Sequence, residues 1–432
     1  MRSAHIVFTT FGSLGDLFPF LAVGQVLHAR GHRVTIATHS MHRAAIEQAK
    51  LRFADASGMP EPKDRAEFTA QAFHPRRGPR FVVRDLAAED VRDSYIKLKT
   101  ICDGADVLVT SGLSFGGQIL GETLSAAGKL RWISAVLAPV SFISVYDLPT
   151  TGMAWADALT HRAPRRVRFF MRHLLQLGTR HWTAPVRAFR RDLGLRAVSA
   201  GGDPFHRGQH SRDCVLALFS PLLGQPQPDW PAHTHVTGFA HYAQPGATID
   251  AELDAFLRDG SPPLVFTLGS SAVHIGAGFL RTSLAVAERL KRRAVLFTGT
   301  AAVRAQLPAQ LPPTVRLVDY APHAVVFPHA AAIVHHGGIG TSSEALRSGR
   351  PMLVVPHGFD QFDNAARLQH QGVAHVVHAR RYKVETATPL LRELLDDPHF
   401  GQHAWRCAEA VRAEHGAMVT ADLIEAQLSK RL

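Results

Sequence analysis

Residues 335 to 349 read HHGGIGTSSEALRSG, which sets two histidines and three glycines directly ahead of a helical pattern. Glycine admits positive φ and lets a ligand approach the backbone, while the free amides and positive dipole end of a helix favour an anion. A diphosphate fits such a junction, with His336 as a further donor. Local structure offers a second explanation: Thr341 with Glu344 three residues on has the form of a capping box, and Gly337, Gly338 and Gly340 could serve a tight turn alone. Two more stretches carry polar side chains beside turns. FGSLGDLFPF places Asp16 after a glycine turn, where it either caps the next helix or faces a ligand. DQFDN supplies Asp360, Gln361 and Asn364, and Asp360 again suits a helix cap.

Short β-branched runs alternating with helical patterns must position these residues. HIVFTT (5–10) predicts a buried strand, followed by a helix from about Leu17 to Arg30 that Gly31 closes. RVTIATH (33–39), ADVLVTSG (105–112) and LRWISAVLAP (130–139) continue as strands. The grammar restarts at PLVFTLGSS (263–271) and runs through AVLFTG (294–299), VRLVDYA (315–321), AAIVHH (331–336) and PMLVVP (351–356). Strand, helix, strand repetition implies α/β structure with parallel sheets, here two doubly wound domains, whose ligands bind beyond the carboxyl ends of the strands. The boundaries expected are an N-terminal domain over 1–238, a linker over 239–262 and a C-terminal domain over 263–432, with the last helix free to pack back on the first domain. The cleft between the domains is the expected site. Residues 57–80 form a proline-rich stretch read as a mobile excursion, and residues 162–191 hold nine arginines and no acid. The latter reads either as a solvated basic face over an apolar stripe or as a helix resting on an anionic membrane.

The chain has 432 residues, 46% hydrophobic and 19% charged, enough for two cores and too apolar for an unfolded segment. A net charge of +12 favours anionic partners without choosing among nucleic acid, membrane and phosphorylated small molecules. Cys102, Cys214 and Cys407 make neither a disulfide framework nor a thiolate zinc site, which suits a cytoplasmic protein. No cleavable signal pattern or run of 18 apolar residues is present.

HHGGIGTSSEALRSGRPMLVVPHGFDQFDNAARLQHQGVA resembles the donor-binding segment of nucleotide-sugar glycosyltransferases of the GT1 type, and FGSLGDLFPFLAVGQVLHARGHRVTIAT extends the resemblance to the N-terminal half. QPDWPAHTHVTGF (227–239) and YAPHAVVFP (320–328) look like the rhamnosyltransferases of rhamnolipid synthesis. The resemblance implies the GT-B architecture, a nucleoside diphosphate sugar as donor and no cofactor. It places the diphosphate against His336, Gly338, Gly340, Thr341, Ser270 and Ser271, and the ribose against Glu344. Tyr320, Ala321 and His323 would receive the base, and Asp360, Gln361 and Asn364 the donor sugar. It makes Asp16 the general base of an inverting displacement.

The acceptor implied is hydrophobic and hydroxylated. Phe68, Phe73, Phe81, Trp132, Phe142 and Trp155 are the aromatics that could line its pocket, or else simply pack a core. Rhamnose on deoxythymidine diphosphate is the favoured donor, with UDP-glucose and a sterol or polyketide as the nearest competitor. No metal is expected, because the chain contains no Asp-x-Asp. A nucleotide-sugar epimerase and a non-catalytic nucleotide-binding protein are the other classes considered. No nucleic-acid motif supports a nucleic-acid partner, and loose attachment to the inner membrane face is the expected contact of the arginine-rich segment.

Overall fold

The computed structural model describes residues 3–199, 201–246 and 248–429. Two compact units divide the chain: Met1–Lys63, Arg76–Ala243 and His415–Leu432 form one, Asp64–Pro75 and Gln244–Glu414 the other.

The N-terminal unit is built on a seven-stranded sheet of β1 (His5–Thr9), β2 (Arg33–Thr38), β3 (Arg52–Asp55), β4 (Val107–Thr110), β5 (Arg131–Val136), β6 (Val215–Ala217) and β7 (Thr234–Val236). Their order is β3-β2-β1-β4-β5-β6-β7, with every pairing parallel. Strands covered by helices on both faces need apolar side chains on both, which is why HIVFT and VLVT are buried along their whole length. The C-terminal unit repeats the plan with β8 (Leu264–Thr267), β9 (Ala294–Phe297), β10 (Val315–Val318), β11 (Ala332–His335), β12 (Met352–Val354) and β13 (Ala374–Val376). Here the order is β10-β9-β8-β11-β12-β13, again all parallel. In each sheet the winding reverses once, between β1 and β4 and between β8 and β11, and loops at such a reversal leave room for a ligand.

Two sequence expectations need correction. The helix expected from Leu17 begins at Leu14, because Ser13 caps it and Asp16 completes the capping box. The excursion at 57–80 contains a helix, Arg65–Ala72, capped by Asp64, and this piece belongs to the C-terminal unit. Phe73 anchors it there, edge-on to Phe359 with ring centroids 5.2 Å apart. The last helix, expected to be free to pack back on the first domain, lies in the N-terminal unit. Helix Gly416–Ser429 buries Ala421 and Ile424 in the N-terminal core, and its Glu425 pairs with Arg30 at 2.7 Å and His32 at 2.9 Å. Gly416 is required at its start, since a Cβ there would lie 2.4 Å from the Phe239 carbonyl oxygen.

Candidate functional site

Four loops leave the carboxyl ends of β8, β10, β11 and β12, and they carry the residues expected on the donor side. His335, buried at the end of β11, accepts the Gly337 N–H on Nδ1 at 3.1 Å, so its proton sits on Nε2. Gly337 then turns at φ +86°, where a Cβ would lie 2.9 Å from Val354 and 3.0 Å from the Gln361 carbonyl. His336 is 3% exposed and slots its imidazole between two backbones. A Cβ at Gly338 would stand 2.4 Å from Nε2, and one at Gly269, itself at φ +60°, would stand 3.2 Å away. Burial above all, with neighbouring His335, His357 and His323, drives the pKa of His336 well below the ordinary histidine range. The imidazole is therefore neutral at physiological pH, a hydrogen-bonding group rather than a cation.

Helix Ile339–Ser348 starts at N-cap Gly338, which has no side chain to satisfy the first-turn amides. Thr341 is thus the third helical residue and not a cap, which corrects the capping-box expectation for Thr341 and Glu344. Thr341 is buried, and its Oγ1 lies 3.2 Å from where a Gly269 Cβ would stand. Gly338 and Gly340 are half-buried. On the β8 side Ser270 is exposed, while Ser271 Oγ lies 3.5 Å from His336 Nε2.

Buried side-chain atoms without a hydrogen-bond partner gather here: among the described residues they include His335 Nε2, His336 Nδ1, Ser342 Oγ and Asn364 Oδ1. Leaving such an atom unpaired costs roughly 1–3 kcal/mol, so several around one junction point to a polar ligand or solvent.

DQFDN also ties the neighbouring loops together. Asn364 is fully buried and gives its Nδ2 hydrogens to the Gly337 carbonyl at 2.9 Å and to Asp360 Oδ2 at 2.8 Å. Gln361 Oε1 accepts the N–H groups of His357 at 2.9 Å and Gly358 at 3.2 Å. Both brace the β11 and β12 loops through these bonds, and Asn364 keeps its Oδ1 without a partner. Asp360 stays half-buried at the head of helix Gln361–His370, with no side-chain capping bond. Beside it Phe359 holds φ +56°, a left-handed conformation that a bulky residue keeps only where its surroundings enforce it. Sequence alone carried no sign of Phe359.

After β10, Ala321 is buried and Tyr320 is 60% exposed, its hydroxyl donating to Gln244 Oε1 at 2.7 Å. His323 stacks on Phe327 with centroids 4.4 Å apart, and burial lowers its pKa to about 4 against the opposing charge of Glu344. Glu344 is therefore near the expected base site, and it also meets Arg347 at 3.5 Å. A separate groove of about 830 Å³ on this unit, lined by Arg292, Arg350, Trp405 and Arg406, lies toward the amino ends of the strands, away from these loops.

In the N-terminal unit the corresponding reversal carries Asp16. Its Oδ2 accepts the Ser13 N–H at 2.8 Å and the Ser13 hydroxyl at 3.3 Å. Desolvation raises the carboxyl pKa from 3.8 to about 6, the Ser13 bonds opposing it. Gly12, at φ +130°, has no room for a side chain, because a Cβ would come within 2.3 Å of the same oxygen. Pro19 lies inside helix Leu14–Ala29 and cannot donate to the Gly15 carbonyl.

The six aromatics expected around the acceptor are divided between the two units. Trp132 is a core residue, packed on Gly121 and bonded through its indole N–H to Thr110 Oγ1 at 2.9 Å. Phe142 stacks on Trp230 at 4.0 Å in a buried aromatic group. Phe68 and Phe73 belong to the C-terminal unit, and Trp155 is 74% exposed. Phe81, half-buried, opens a π-helical stretch, Phe81–Ala87. The apolar wall nearest Asp16 along the chain was missed: Phe11 after β1 and Leu113 after β4 pack against Val83, Phe115, Val186 and Phe189. Their place in the two loops at the sheet reversal was the available signal.

The sequence matches the glycosyltransferase family 28 N-terminal domain over residues 6–136 and the erythromycin biosynthesis protein CIII-like C-terminal domain over 284–425. It is 31% identical to the O-mycaminosyltylonolide 6-deoxyallosyltransferase of Streptomyces fradiae across 98% of this chain and 97% of that protein. A sterol 3-beta-glucosyltransferase of Leptosphaeria maculans is 26% identical over 98% of this chain, which spans only 29% of that longer protein. Among solved structures, the kitacinnamycin glycosyltransferase superposes with TM-score 0.71 at 23% identity over 99% of this chain and 100% of its own. Spinosyn rhamnosyltransferase SpnG, solved with thymidine diphosphate, gives 0.66 at 18% identity over 98% and 99%. Matched over nearly its whole length, the chain belongs to the GT1-type glycosyltransferases and has their GT-B fold of two parallel-sheet Rossmann-like domains.

Proposed function

We propose that this enzyme moves a 6-deoxyhexose, rhamnose being favoured, from a deoxythymidine diphosphate carrier to a hydroxyl of a hydrophobic acceptor, with inversion and without a metal. The observation that carries the reading is the uncapped helix start at Gly338 beside unpaired polar atoms of His335, His336 and Ser342. First-turn amides, the neutral His336 imidazole, Thr341, Ser270 and Ser271 would hold the diphosphate. Glu344 would take the ribose hydroxyls, the loop Tyr320–Ala321–His323 the base, and Asp360 the sugar.

In the transfer, the acceptor oxygen forms a bond to the anomeric carbon as the bond to the diphosphate oxygen breaks. The acceptor proton passes to the Asp16 carboxylate, and the leaving charge spreads into the amides around Gly338. A carboxyl lifted to about 6 is a stronger base than an ordinary one and is still mostly ionised at neutral pH. The similarity to a 6-deoxyallosyltransferase supports a deoxysugar, and the family's sterol glucosyltransferases support a second reading, UDP-glucose with a sterol.

Incubation with deoxythymidine and uridine diphosphate sugars and a panel of macrolide, sterol and hydroxyacyl ester acceptors, read by product mass and anomeric configuration, tests both. Transfer from a deoxythymidine diphosphate 6-deoxyhexose, insensitive to chelator, is expected. Exclusive use of UDP-glucose would give the second reading, and absence of stabilisation by any nucleoside diphosphate would overturn both.

A further inference from the structure

Helix Arg165–Thr179 is built inside out. Its buried positions are polar: Gln176 and Thr179 face the protein, Thr179 Oγ1 meets His206 Nε2 at 2.9 Å, and Arg172 pairs with Asp229 at 2.6 Å. Its exposed face is apolar. Val167, Phe170, Leu174 and Leu177 recur at helical spacing and are 43%, 60%, 50% and 48% exposed. On the helix surface this stripe is bordered by Arg166 and His173 on one side and Arg168 on the other. The preceding helix, Ala154–Arg162, adds exposed Trp155 and Leu159. Between Asp157 and Asp192 the chain has no acid.

Soluble helices turn the apolar stripe inward, so a face of this kind needs a cover. We propose that it docks on an anionic lipid surface, the apolar stripe entering the headgroup boundary and the arginines meeting lipid phosphates. Charge decides the occupant. Arg172, Arg187 and Arg190 are paired with Asp229, Asp203 and Glu122, but a bilayer carrying anionic lipid complements the exposed Arg162, Arg165, Arg166 and Arg191 of this acid-free segment, whereas a second copy of this +12 chain would bring like charge against it. No helix among the described residues is long and apolar enough to cross a membrane, so the contact would be peripheral. Trp155, an acceptor-pocket candidate by sequence, would be a further interfacial side chain on the preceding helix.

Cosedimentation of the full chain with phosphatidylcholine vesicles, with and without phosphatidylglycerol, tests the proposal. Binding is expected only with phosphatidylglycerol and should weaken as salt rises. A Phe170→Glu/Leu174→Glu double variant should lose roughly tenfold or more in partitioning. Arg165→Glu/Arg166→Glu should also lose binding, while Ile96→Glu, altered at an exposed site elsewhere, should bind as the parent does. All four side chains of the two double variants are exposed, and only Arg165 gives up a contact, its stacking on the Tyr146 ring at 4.8 Å, so melting temperatures should change little. Failure of the parent to bind anionic vesicles at low salt, or equal binding by every variant, would overturn the proposal. So would a dimer that the Phe170→Glu/Leu174→Glu pair dissociates while vesicle binding is absent.

Discussion

The two sheets reverse their winding in the same way and put opposite chemistry at the reversal. Beside β1 and β4 a single carboxylate is held where burial resists its ionisation, braced by Ser13 and crowded by Gly12. Beside β8 and β11 a set of neutral donors surrounds a helix start, with His335 and His336 kept uncharged by burial. In the proposed reaction one topology thus serves a base in one unit and an anion cradle in the other. The difference lies in which side chain each loop desolvates and how firmly the backbone fixes it. Fold dictates where a ligand can sit, and loop chemistry dictates what it is.

The contrast breaks most sharply at Asp16. Replacing it with Asn should lower turnover by ~10² to 10⁴ while the dissociation constant for thymidine diphosphate stays unchanged; equal loss in calorimetric binding would remove the base assignment. Stability should move the other way. A carboxyl whose pKa is raised in the fold from 3.8 to about 6 stabilises it while protonated, and that contribution is lost as pH rises through 6. The Asp16→Asn protein should therefore be more stable than the parent by up to about 3 kcal/mol above pH 6, with no gain at low pH, in denaturant titrations.

At the other reversal, Gly338→Ala would press a methyl group against His336 Nε2, and thymidine diphosphate affinity should fall by roughly ten- to a hundredfold with little change in turnover of saturated enzyme. Asn364→Ala frees the Gly337 carbonyl and should cost about 1–3 kcal/mol in stability, with a smaller loss in donor affinity, since it supports the loop from behind. The gentlest probe is pH. kcat/KM should rise through an apparent pKa near 6, reaching about a tenth of its plateau at pH 5, because Asp16 must be ionised to accept a proton. Donor binding should stay nearly flat across the same range, because His336 remains neutral; a matching limb in binding would erase the distinction between the two sites.

Much of this was legible in the residues. Strands such as HIVFT and LVFT declare themselves because burial on both faces demands an unbroken apolar run. The junction at His336 is legible because only glycine tolerates the close approaches at 337 and 338. The helix frame there was misjudged because a glycine N-cap leaves no side-chain signature, whereas Thr341 and Glu344 imitate one. The bracing bonds of Gln361 and Asn364 were not legible, because polarity does not reveal that a backbone amide or carbonyl waits within 3 Å. The strands β6, β7 and β13 are three residues each, too short for periodicity to register. The allegiance of Phe73 and of helix Gly416–Ser429 depends on contacts far apart in the chain.

A crystal soaked with thymidine diphosphate is the decisive observation. Phosphate oxygens should lie within hydrogen-bond reach of the amides of residues 338–341 and of the His336 imidazole, giving unpaired groups there their partners. Diphosphate bound elsewhere, with that imidazole and the first helical turn untouched, would refute the anion cradle and the transferase site built on it.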